Sequence, residues 1–192
     1  MAANLHRGDR SIGRLIGMSA LAGALGALAR GVYYMAVGAA MGTGPFAIPN
    51  LAGASVTGER IRAFDADTSI MGLLLHLLTG ALFGVAFGLI VAYALPRAFR
   101  NRATALVSGL IFGALAYVVS LVVGPAINPL TAQIHNMLGS AHAFIGHLIL
   151  GAVTSLALYS YRSRPGMSVL FHRETGVRDR VPVTHHDRNN LD

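Results

Sequence analysis

The sequence predicts an all-α fold, a polytopic membrane protein built as a bundle of four transmembrane helices. Three observations predict it. The chain is 54% hydrophobic and only 12% charged, with a mean hydropathy of +0.57; a soluble domain carries about 25% charged residues. Residues 70–95 contain no Asp, Glu, Lys or Arg and exceed the roughly 20 apolar residues that a helix needs to cross a bilayer. The arginines fall mainly between and beyond the apolar stretches, as the ends of spans require.

Each element follows from these patterns. Residues 1–14 read as a polar, basic N-terminal segment, and residues 15–41 as the first span, interrupted by Arg30. A secretory signal is the alternative. Arg7, Arg10 and Arg14 would then precede an apolar run that ends in a small-residue site, Ala27-Leu28-Ala29, and residues 1–29 would be removed. The apolar character continues to Met41, which favours a retained span. Residues 42–69, rich in Gly, Pro and small side chains, read as a loop bearing Glu59, Arg60, Arg62, Asp65 and Asp67. The second span, 70–95, stops at Pro96. A basic turn with Arg97, Arg100 and Arg102 leads to the third span, 103–123. An uncharged loop, 124–140, precedes the fourth span, 141–161. Residues 15–162 thus make the membrane domain. The polar tail, 163–192, reads as mostly disordered.

Four spans place both termini on one side. Arg7, Arg10, Arg14, Arg97, Arg100, Arg102, Arg162 and Arg164 share that side; only Arg60 and Arg62 oppose them. The positive-inside rule then puts both termini in the cytoplasm, with the chain in the cell inner membrane. All 15 basic residues are Arg, and the net charge is +7. No aromatic-interleaved basic patch points to nucleic acid. The expected partners are the lipid bilayer and other membrane subunits or further copies of the chain. With no Cys, disulfides and thiolate chemistry are excluded.

Glycines predict how the spans pack. His76, Gly80, Gly84 and Gly88 recur every fourth residue, a continuous ridge on a helix. Gly109 and Gly113 form a second small-xxx-small pair, the pattern that lets helix backbones approach in lipid. Gly13 with Gly17, and Gly38 with Gly42, add further faces. The surplus predicts that one face, with Gly84 and Gly88 the first candidates, pairs with another protein. A parallel two-plus-two internal repeat is also suggested. Gly26-Ala27-Leu28-Ala29 matches Gly113-Ala114-Leu115-Ala116, each ahead of a Gly-Pro loop, and His76-x-x-x-Gly80 matches His142-x-x-x-Gly146. The offsets between matches are unequal.

Intramembrane ionisable groups are expensive and define the candidate sites. His76 and His142 lie at matched depth and could be axial ligands of haem b between facing helices. With His135, His147 and Asp65 or Asp67 they could instead bind a metal ion such as zinc or copper. The competing reading has neutral histidines hydrogen-bonding between helices. His142 and His147 are about 140° apart around a helix and cannot face one centre. Arg30 is the charge inside a span. It lies roughly 24 Å along the helix from Arg14, ahead of Tyr33 and Tyr34, and reads as snorkelling beside an interfacial aromatic belt; a buried ion pair or an anion site is the alternative. The Gly-Pro loops read as ordinary turns, or else as segments dipping back into the bilayer. No GxxxxGK[ST], GxSxG or HExxH motif occurs. The expected function is a non-enzymatic accessory or scaffold subunit of a larger membrane complex. A haem- or metal-binding redox subunit and a small oligomeric channel or transporter are the alternatives.

Overall fold

The computed structural model describes residues 2–58, 64–127 and 129–162. Its helices are α1 (Ala2–Ala40), α2 (Ala47–Thr57), α3 (Ala66–Tyr93), α4 (Arg102–Ile127) and α5 (Leu130–Arg162), with a 3-10 turn at Pro96–Phe99. Four of them contain stretches long and apolar enough to cross a membrane: Ile12–Ala40, Ala66–Tyr93, Arg102–Ile127 and Thr131–Tyr161. The protein is a multi-pass membrane bundle. The helical backbone already begins at Ala2 and runs into the first span without a break. Glu59, Arg60, Arg62 and the tail expected to be disordered lie outside the described residues.

The two connections expected as ordinary turns are corrected. Residues 42–69 hold α2, which lies along the first turns of α3. It can do so because both partners offer glycine: a Cβ on Gly53 would strike the Thr68 carbonyl, and one on Gly72 would strike the Pro49 carbonyl. A left-handed Gly58 ends α2, its N–H donating to the Ala54 carbonyl at 2.9 Å. Asp65 then caps α3 by accepting the Thr68 N–H at 2.7 Å. In the second connection α4 runs on to Ile127 and α5 starts at Leu130, so little is left unwound.

Packing follows the missing side chains. α1 packs against α3 and α5, and α4 packs against α5. A Cβ on Gly23 would collide with Gly80 and Gly84 of α3; one on Gly84 would collide with Ser19 and Gly23 of α1. Gly80 and Gly88 meet Ala27 and Ser19 in the same way. Across the other pair, Gly109 meets Gly151 and Ser155, and Gly113 meets the His147 carbonyl. The opposite face of α3 follows from helix geometry: residues two apart point about 200° apart, so Leu74, Leu78 and Leu82 face outward and are exposed. Gly84 and Gly88 therefore serve the chain's own fold, which corrects the expectation that they pair with another protein. α3 and α4 meet through rings instead, with Phe87 and Phe112 at 4.7 Å and Phe83 and Phe112 at 6.2 Å. Phe87 packs on with Leu15, Val91, Phe99, Ala105 and Leu158 in a buried cluster.

Each half is a helix hairpin, α1 with α3 and α4 with α5. The matched words do not occupy matched contacts. Gly80 faces α1 of its own hairpin, whereas Gly146 faces Tyr34 of the other. α2 does have a counterpart: the part of α5 over 130–138 is a short helix set off by the break at Gly139 from the part that crosses the membrane.

Gly23→Leu is predicted to destabilise the bundle by about 1–3 kcal/mol or more, measured by chemical denaturation in detergent micelles. Gly17→Leu should leave that value unchanged, since nothing lies within 4 Å of a Cβ there. Acid should also act at Asp65. Hydrogen bonds from Thr68 hold its carboxyl below the ordinary carboxylate value. Its cap is therefore fully present above the ordinary value and is lost as pH falls through the lowered one. Asp65→Ala should remove that part of the acid sensitivity of α3, followed by helical circular dichroism.

Candidate functional site

A polar layer lies within the bundle toward the α2 end. Arg30, Tyr33 and Tyr34 share one face of α1, being three and four residues apart. That face turns inward. Arg30 is 7% exposed and Tyr34 is 5% exposed, so Arg30 does not snorkel and Tyr34 is not part of a lipid-facing belt. The reason is the neighbouring chemistry: α3 and α5 offer polar partners at this depth, and lipid offers none.

Arg30 Nη2 donates to His76 Nδ1 at 3.2 Å. His76 Nε2 donates to the Ala27 carbonyl at 2.8 Å. A carbonyl only accepts, so this contact sets the tautomer: Nε2 carries the proton and Nδ1 is left as the acceptor for the guanidinium. Gly31 leaves room for the ring, since a Cβ there would stand 3.4 Å from His76 Nε2. The Tyr34 ring faces the guanidinium carbon at 5.9 Å, a cation–π contact. Its hydroxyl donates to the Ala143 carbonyl at 3.0 Å, and Gly146 is the gap in α5 that admits the ring. His147 Nδ1 donates to the same carbonyl at 2.8 Å. Arg30 is thus joined to His147 through Tyr34, whose ring faces the guanidinium and whose hydroxyl meets the same carbonyl as His147.

The layer extends to α4 through His147, which is 4% exposed. Tyr117 stands edge-on to its ring at 5.6 Å. His135 stacks on it at 6.4 Å with the planes 15° apart. His135 Nδ1 donates to the Thr131 carbonyl at 3.0 Å, and Nε2 pairs with the Ser120 hydroxyl at 3.1 Å. On an unbroken helix the two imidazoles would stand about 18 Å apart along the axis. They meet because α5 breaks at Gly139, whose φ of 72° and ψ of 149° belong to a region open essentially to glycine alone.

The structure thus gathers Arg30, His76 and His147, with His135 joined to His147. His142 stands apart, its Nδ1 paired with the Tyr33 hydroxyl at 2.8 Å. His76 and His142 are held by different residues of α1, and α1 packs against both α3 and α5. Both ring nitrogens of His76 are already engaged, so ligating a haem iron would break one of these bonds. Asp65 is exposed and caps α3, and Asp67 is exposed too. Among the described residues no three His, Asp or Glu side chains converge as a metal-ligand group. Sequence reasoning missed the inward roles of Tyr34, Tyr117 and Ser120. Only the spacing of Arg30 and Tyr34 carried a local signal; Tyr117 and Ser120 acquire their partners from another helix. Compared with protein-family models, curated proteins and solved structures, the chain matches none.

Gly139→Ala is predicted to cost about 1–3 kcal/mol through backbone strain alone, because space around its Cβ is open. The same variant should separate His135 from His147, read as altered imidazole proton shifts by NMR of the histidine-labelled protein.

Proposed function

We propose that this chain is a non-enzymatic accessory or scaffold subunit of a larger assembly in the cell inner membrane, with both termini in the cytoplasm. One observation carries the reading. Among the glycines from Gly13 onward that keep helical dihedrals within the described helices, the others meet an atom of the chain itself, whereas Gly13 and Gly17 of α1 meet nothing within 4 Å. They lie one turn apart beside Ile12 and Ile16, which are exposed. A small-xxx-small groove flanked by isoleucines is a surface on which another membrane helix packs closely. The arginines support the orientation: Arg97, Arg100, Arg102 and Arg162 cap the same end of the bundle as Gly13.

The test is native-gel migration of the full chain extracted from its own membranes in mild detergent. The wild type should run in a larger assembly. Gly13→Leu with Gly17→Leu should release a folded single chain. A wild type that already migrates alone would overturn the reading, as would variants that stay in the assembly. A reporter fused after Asp192 should read cytoplasmic.

A further inference from the structure

Arg30 is a full positive charge at 7% exposure between membrane helices. A guanidinium does not deprotonate in proteins, so the fold cannot relieve its burial by neutralising it. An unpaired ion in such an interior is among the costliest groups a chain can bury. Its observed partners carry no negative charge. His76 accepts one N–H through a ring whose single proton is committed to Ala27. Tyr34 supplies a ring face. Among the described residues no hydrogen bond joins His147 to the guanidinium; its Nδ1–H goes to the Ala143 carbonyl that also accepts from Tyr34. Asp65 and Asp67, the acids at the start of α3, are exposed, and among the described residues no carboxylate pairs with Arg30. Its Nε–H is buried and has no hydrogen-bond partner.

We propose that Arg30 holds a small monovalent anion, of chloride or acetate size, between α1, α3 and α5. The orphan Nε–H is its donor, and the guanidinium is its counter-charge. His76 is a positioning residue that fixes the fork while leaving Nε–H unspent. The size limit follows from the burial of Arg30, Tyr34 and His147, which excludes a lipid headgroup or a large organic acid. This inference is independent of the accessory role, because the anion site faces inward and the Gly13–Gly17 groove faces outward.

The experiment uses the full chain in phosphatidylcholine nanodiscs and follows Tm as chloride replaces gluconate at constant ionic strength. The wild type should show a saturable rise with chloride, and likewise with acetate. Arg30→Gln should show none. Arg30→Lys, which keeps the charge but not the fork, should weaken half-saturation by about tenfold. His76→Glu sets a carboxylate beside Arg30 and should give a folded protein with no anion dependence. If Arg30→Gln does not fold, chloride-35 line broadening compared between the wild type and His76→Glu decides the matter: broadening by the wild type alone supports the site, and equal broadening overturns it. A wild-type Tm indifferent to chloride would overturn the proposal. So would a dependence that Arg30→Gln retains, or a rise produced only by adding anionic lipid.

Discussion

The bundle depends on α1 lying backbone-to-backbone with α3. Lipid removes the hydrophobic drive that would collapse a soluble bundle, so attraction between spans must come from close contact. Gly23 of α1 and Gly80 and Gly84 of α3 provide it, each leaving space that the opposite backbone fills. The α4–α5 pair repeats the solution with Gly109, Gly113 and Gly151. Large side chains do the opposite work. Leu74, Leu78 and Leu82 on α3, and Val107, Ile111, Leu115 and Val118 on α4, stay exposed to match the bilayer.

Close packing also makes the polar layer possible. Gly31 makes room for the His76 ring, Gly146 for the Tyr34 ring, and Gly113 brings α4 onto the His147 backbone. Each polar side chain then reaches a partner on a neighbouring helix or on its own backbone. That goes far toward the demand that buried polar groups be hydrogen-bonded; among the described residues Arg30 Nε remains without a partner, as do the Ser19, Ser69 and Thr154 hydroxyls, and of these Arg30 carries a full charge. Short helices close the layer from the α2 end. Ile48 of α2 and Leu138 of α5 pack with Val37 against Tyr34, the ring that faces the guanidinium.

Much of this was legible from composition and spacing. Apolar length, arginine placement and the period-four glycines are local properties of one strand of sequence, and they determine that the chain makes four packed membrane helices. The histidines were visible as costly groups, and so was Arg30. The direction in which Arg30 points was not visible, because lipid-facing and inward-facing positions of α1 have nearly the same composition and the choice rests on partners supplied by α3 and α5. The same holds for Gly84 and Gly88: their spacing announces a close contact, but whether that contact is with α1 or with another protein depends on which helix stands beside them. The meeting of His135 with His147 needed the break at Gly139, a backbone geometry that a glycine permits and does not announce. Periodicity along the chain sets what each helix is; the juxtaposition of helices, a sum of many weak contacts between distant residues, sets what each polar side chain touches.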